Sequence, residues 1–228
     1  MAINLFISFS LSAQQSSVSQ KIIYTGLDNP TSIYATQQHL FVVESGKHRI
    51  LKLDHNGKII ETLGGLGTGD YEFDTPIDID ATNGLKIYVS DYRNNRVQVF
   101  DRRFQYLTTI TASREQRKIR PTQLVVNDFG ELFLYDEASK AILKYDENGS
   151  LRNQFSFTGP VTEISEFENG IDIFQISTNT SVEMSWNGIF SPKFIVEYLL
   201  MDYVVVSRTD NYEFKLFPTS IVRRSLSE

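Results

Sequence analysis

Between residues 63 and 107 the chain alternates short apolar runs with polar turn residues. The apolar stretches at 77–79, 85–89 and 97–100 are each bounded by Gly, Asn or Asp. Runs of that length between turn formers predict a meander of strands.

The same pieces recur along the chain. Pro30, Pro76, Pro121 and Pro160 each open a similar unit, at spacings of 46, 45 and 39 residues. Leu40, Ile87, Leu132 and Ile171 begin a second strand 10 or 11 residues after each proline. Glu44, Asp91 and Asp136 end that strand, and Ile50, Val97 and Ile142 open the next one six residues later. Three landmarks keeping one period identify a repeat array. Each unit predicts four strands, in the first at 31–35, 39–44, 49–54 and 58–63. The Asn-Gly pairs at 56–57 and 148–149 carry the signal of tight hairpins, where a residue at positive φ is required. The second strand is apolar on both faces at 40–43 and 132–135, as a sheet covered on both sides needs.

A fourth unit, 161–195, keeps the spacing but has Gln175 where the acid stood. A fifth is predicted from 196–200, 203–207 and 212–217, without a fourth strand of its own. The run Lys-Ile-Ile-Tyr-Thr-Gly at 21–26 matches Lys-Ile-Ile-Glu-Thr-Leu at 58–63. This N-terminal strand is therefore expected to complete the last unit and close the ring, with 220–225 as the competing candidate. On that reading, loss of 1–27 harms the fold far more than loss of 219–228.

Tyr-Val-Ser-Asp at 88–91 followed by Asn-Asn-Arg-Val-Gln-Val-Phe-Asp at 94–101, behind a Gly-rich turn and Pro76, resembles an NHL repeat. The resemblance rests on motifs over 21–160 and on spacing beyond. It implies an all-β fold, a β-propeller of about five four-stranded blades closed by pairing of its N- and C-terminal strands. Propellers of the family usually have six blades, and this length falls short of six.

The chain of 228 residues can bury one core, so a single domain at 14–228 is expected behind an N-terminal segment. Residues 1–13 are apolar and small and precede Gln14, like the end of a secretory signal, though without its basic start. Periplasmic or extracellular location is the expectation from that segment. No later stretch has the ~18 consecutive apolar residues of a membrane span. Charge is 22 basic against 28 acidic residues, net −6, which argues against a nucleic-acid partner. Without cysteine there is neither a disulfide nor a thiolate metal site.

Glu44 with Arg49 and Asp91 with Arg96 sit at equal spacing across successive turns and read as pairs holding those turns, worth about 0 to 1 kcal/mol if exposed. Ala141 replaces the arginine in the third unit and leaves Asp136 unpaired. The glycines at 64–69 precede Asp70, Glu72 and Pro76 rather than a helix, so they read as a blade-linking loop and not a phosphate cradle. His39, His48 and His55 fall in three different turns, on opposite rims, and are expected at the surface. Similarity to gluconolactonase-like propellers would place a divalent cation in the central channel, with Asn29, Asp78, Gln123 and Thr162 as the candidates at the starts of the innermost strands. Otherwise no cofactor is expected. Arg114, Arg117, Lys118 and Arg120 form the one strong local charge feature and are the candidate contact for an acidic partner. The expected role is a non-catalytic scaffold for a protein or glycan ligand, with a metal-dependent hydrolase or lyase and an RNA-binding propeller as the rivals.

Overall fold

The computed structural model describes residues 20–82, 84–112, 118–157, 161, 163–167, 169–175, 180–194, 205–209 and 212–225. They form five sheets of four antiparallel strands in a ring, a five-bladed propeller in which the first strand, β1 (Gln20–Thr25), belongs to the last sheet. Blade 1 is β2 (Pro30–Ala35), β3 (Leu40–Glu44), β4 (Arg49–Leu53) and β5 (Ile59–Gly64). Blade 2 is β6 (Pro76–Asp80), β7 (Lys86–Asp91), β8 (Arg96–Asp101) and β9 (Tyr106–Thr111). Blade 3 is β10 (Pro121–Val126), β11 (Leu132–Asp136), β12 (Ala141–Tyr145) and β13 (Leu151–Ser156). Blade 4 is β14 (Glu163–Phe167), β15 (Gly170–Gln175), β16 (Thr180–Ser185) and β17 (Phe190–Phe194).

Blade 5 is β18 (Val205–Arg208), β19 (Tyr212–Leu216), β20 (Ser220–Ser225) and β1. The N-terminal strand thus closes the ring, as its sequence predicted. The expected make-up of this blade is corrected by one strand. Residues 220–225 are no rival for closure but the third strand, lying between β19 and β1, so the tail is required by the strand that closes the ring. The error arose because 195–206 contains no Gly, Pro or Asn to mark a strand start. The segment 196–200, and Pro160 with it, lie outside the described residues.

Prolines open β2, β6 and β10, where a strand's first residue need not donate to the ladder. The core lies between blades rather than within one. Phe41, Val43 and Ile50 of blade 1 pack against Ile79, Ile87 and Val89 of blade 2, and Val125 and Phe133 of blade 3 against Ile164 and Ile171 of blade 4.

Two further sets of bonds lock the ring. Glu44, Asp91 and Asp136 are buried and each accepts a backbone amide from the loop entering its own blade: Asp28 at 2.9 Å, Asp74 at 2.8 Å and Arg120 at 2.6 Å. These are not exposed pairs, as expected from the sequence, but enclosed carboxylates whose loss would strand a buried amide and, at two of them, a guanidinium. Asp136, without an arginine, is satisfied by the Ser139 hydroxyl at 2.6 Å and the amides of Ala138 and Ser139. The second set joins successive blades. Lys52, Lys86, Lys144 and Arg223 donate to the carbonyls of Arg102, Glu147, Trp186 and His55, at 2.9 to 3.2 Å. Each acceptor lies in the last hairpin turn of the following blade. Lys52 also lies over Phe41 and Phe104, Lys144 over Phe133, and Arg223 over Tyr212, so these cations are desolvated against rings rather than left in water.

Candidate functional site

The disc has two faces. One carries the loops that enter each blade together with the turns between second and third strands. The other carries the turns between first and second and between third and fourth strands. The innermost strands line the channel that joins the faces.

An innermost strand has one edge without a ladder partner, so its amides need acceptors from elsewhere. Asp78 and Asp80 of β6 supply them. Asp78 accepts the Ser32 hydroxyl at 2.6 Å and the Leu124 amide at 2.9 Å, which ties blade 2 to blades 1 and 3. Asp80 accepts the Val126 amide at 3.0 Å and the Thr82 amide at 2.7 Å. Burial pushes both carboxyls up against the pull of these bonds, Asp80 to about 7. Burial and the nearby Asp78 also raise Glu163.

Of the residues expected to face a channel metal, only Asp78 has this central position, and both its oxygens are engaged. Gln123 is half-buried on β10, Asn29 is exposed in the loop before β2, and Thr162 lies outside the described residues. Among the described residues no three His, Asp or Glu side chains stand close enough together to hold a metal ion.

The glycine-rich loop is the expected blade link, and its organising atom is the Arg96 guanidinium. Arg96 donates to the carbonyls of Thr68, Gly69 and Glu72 at 2.8 to 2.9 Å and to Asp91 at 2.7 Å. Of the basic loop, Arg114 and Arg117 lie outside the described residues. Lys118 is exposed, and Arg120 reaches Glu137 at 3.9 Å.

The histidines do not converge: they occupy three turns on opposite rims, as expected, but are half-buried rather than exposed. His48 lies on the loop-bearing face, where its Nδ1 accepts the Thr75 amide at 3.0 Å. His39 and His55 share the opposite face. His55 bonds the Thr36 carbonyl at 2.9 Å and packs against Tyr212 and Phe214. Burial, with help from Lys52 and His55, holds His39 below its ordinary value of 6.5, so the ring is largely neutral at pH 7.

On that second face a cleft of about 720 Å³ opens between the turns of blades 1 and 2, with Thr209 of blade 5 at its edge. Its apolar wall is Ala35, Phe41, Ala81 and Ile87; its polar rim carries Thr36, Gln38, His39, Lys86 and Arg102. Tyr34 and Thr82 also line it and bond each other at 2.8 Å across the two blades. Burial first, and then the charge of Asp80, pushes the Tyr34 phenol up, so it stays neutral. Sequence reasoning missed this cleft because its residues come from three turns that the repeat landmarks do not mark. The signal available was a lysine and an arginine, Lys86 and Arg102, at the turns of one unit in an acidic chain.

Residues 73–100, from the loop before β6 into β8, match the NHL repeat family. The chain is 30% identical over 80 residues to NHL repeat-containing protein 2 of Gallus gallus, covering 32% of this chain and 11% of that protein. It is 29% identical over 79 residues to NHL repeat-containing protein 3 of Homo sapiens, covering 33% and 23%. The matches thus span less than a quarter of either relative. Among solved structures, a streptogramin B lyase superposes with TM-score 0.63 at 12% identity, over 87% of this chain and 66% of that one. A virginiamycin B lyase from Staphylococcus aureus gives 0.63 at 12% over 92% and 75%. At such identity the likeness establishes the fold, and lyase activity belongs to those proteins.

Proposed function

We propose that this propeller, which carries an NHL repeat in its second blade, is an exported, non-catalytic binding scaffold whose ligand seat is the cleft between blades 1 and 2. The contrast between channel and cleft supports this reading. In the channel, Asp78 and Asp80 are committed to the amides and hydroxyls that hold neighbouring blades together. The cleft, by contrast, is a preformed concavity of about 720 Å³ with an apolar wall and a few polar groups at its rim, the form of sites that take small ligands. A group projecting from a protein or glycan partner fits such a seat as well as a free small molecule does. Export to the periplasm or the cell exterior rests on the apolar residues 1–13 ahead of Gln14.

The test is to fill the cleft. Gln38 is exposed at its rim, so Gln38→Trp adds bulk there without touching the packed strands. Saccharides, short peptides and organic acids that raise the melting temperature of the wild-type chain should leave Gln38→Trp unmoved. Equal stabilisation of both proteins by every ligand found would place the seat elsewhere. For export, N-terminal sequencing of protein recovered from its host should read from close to Gln14, and an intact Met1 would refute cleavage.

A further inference from the structure

The cleft has the opposite charge sign to the molecule. The chain carries 28 acidic against 22 basic residues, yet the described lining of the cleft contains no Asp or Glu and does contain Lys86 and Arg102. We infer that the cleft binds a small organic anion, with a carboxylate or phosphate head at Arg102 and an apolar body against Phe41, Ala81 and Ile87. This deepens the proposed function and rests on the cleft being the ligand seat.

The local bonds explain why positive charge persists there. Arg102 is exposed at the tip of the β8–β9 turn, and its side chain forms no ion pair among the described residues. Its neighbour Asp101 does not neutralise it, because that carboxylate is turned into its own hairpin and accepts the amides of Arg103 and Gln105, both at 2.8 Å. Lys52 lies one layer deeper, buried between Phe41 and Phe104, and donates to the Arg102 carbonyl at 3.2 Å. That bond fixes the turn from which the Arg102 side chain extends. Lys86 donates to the Glu147 carbonyl in the last turn of blade 3 at 3.2 Å, so its ammonium is engaged away from blade 1 and Arg102 is the cation that serves the cleft. The hydroxyls have less to offer a ligand: Tyr34 and Thr82 bond each other, and Thr36 donates to the His39 carbonyl at 3.1 Å. Orientation of a ligand therefore falls to Arg102 at the rim, and a flat apolar body suits the ring of Phe41 and the side chain of Ile87. A partly desolvated cleft strengthens such charge attraction over its value in bulk water.

The probes are 2-naphthoate, 1-naphthyl phosphate and the neutral 2-naphthalenemethanol, titrated calorimetrically against the full chain. At least one anion should bind, about tenfold or more tightly than the alcohol, since hydrogen bonds to charged groups are the strong ones. The tighter of the two anions identifies the head group. Arg102→Glu should remove that preference, and Arg102→Lys should retain most of it. A thermal melt confirms that the variants are folded, which is expected because the Lys52 bond goes to the backbone of residue 102. If no probe binds, if the alcohol binds as well as the anions, or if Arg102→Glu leaves the preference intact, the inference is overturned. Gln38→Trp separates the two levels. Binding that survives the plug removes the cleft as seat, whereas binding lost with the plug but indifferent to Arg102→Glu keeps the seat and removes only its anion chemistry.

Discussion

In blades 1, 2 and 3 the entering loop is fastened by a buried acid at the end of the second strand: Glu44, Asp91 and Asp136. Blade 4 has Gln175 there, and in blade 5 the second strand ends at Leu216. Among the described residues, blades 4 and 5 hold their turns through backbone bonds and the hydroxyls of Ser185 and Thr209. The Trp186 amide donates to the Asn169 carbonyl at 3.1 Å, and the amides of Gly26 and Leu27 converge on the Thr219 carbonyl at 2.8 and 3.2 Å. Between β15 and β16 the chains approach so closely that a Cβ on Gly170 would lie 2.2 Å from the Met184 carbonyl oxygen. The same four-stranded unit thus carries a side-chain charge anchor in one part of the ring and, among the described residues, backbone and hydroxyl contacts in the other. A charge anchor needs a particular residue at a particular spacing, whereas a carbonyl acceptor can come from any residue.

The largest effect should come from the closing strand, where the two halves of the ring meet. Removing 1–27 deletes β1, and removing 219–228 deletes its ladder partner β20. Both truncations should abolish the single cooperative thermal transition of the full chain. A 219–228 truncation that melts like the full chain would contradict the observed strand order.

Asp91 tests the charge-anchored half. Asp91→Ala leaves the Arg96 guanidinium without its counter-ion and the Asp74 amide without its acceptor, and should cost about 3 to 5 kcal/mol in urea unfolding. Asp136→Ala strands a hydroxyl and amides but no cation, and should cost about 1 to 3 kcal/mol. Equal costs would mean that Arg96 contributes nothing to the anchor.

The buried acids of this half respond to pH with opposite signs. Burial raises Asp80 from 3.8 to about 7, so the folded chain holds a proton there that the unfolded chain has lost. Its contribution is fully favourable below about pH 4 and is lost as pH rises towards 7, on the order of 4 kcal/mol in all. At Glu44, burial acts upward, but the bonds from Lys47, Arg49 and the Asp28 amide outweigh it and hold the carboxyl below 4.5. Its contribution is present above that value and lost in acid. Denaturation midpoints should therefore fall between pH 5 and pH 8, and Asp80→Asn should flatten that slope.

The links between blades should be weaker. Lys52→Met keeps the packing against Phe41 and Phe104 but loses the bond to the Arg102 carbonyl, at a cost of about 1 to 2 kcal/mol. Lys144→Met loses the corresponding bond across the blade 3 to blade 4 boundary and also the ion pair with Glu131 at 2.8 Å, and should cost somewhat more than Lys52→Met.

This division also decides how much could be read from the sequence. Pro30, Pro76 and Pro121, and the acids that follow them, gave the first three blades to within a residue or two, because those positions are chemically required. The start of blade 5 was misplaced because 195–206 offers no Gly, Pro or Asn to mark where its first strand begins. The links from Lys52 and Lys144 left a trace, a lysine inside each apolar third strand two residues before the closing acid, which the landmarks passed over. The cleft left almost none. Tyr34, Thr82, Lys86 and Arg102 are brought together by the ring, and their proximity follows from the closure rather than from any local motif.

The three histidines provide the most direct test of the ligand seat. His39 lines the cleft, while His48 bonds the Thr75 amide on the opposite face. Ring resonances of histidine-labelled protein would be followed by NMR as 2-naphthoate is added. The His39 signals should move saturably while those of His48 remain fixed. Movement of His48 with His39 unchanged would put the ligand on the other face and contradict the cleft as the binding site.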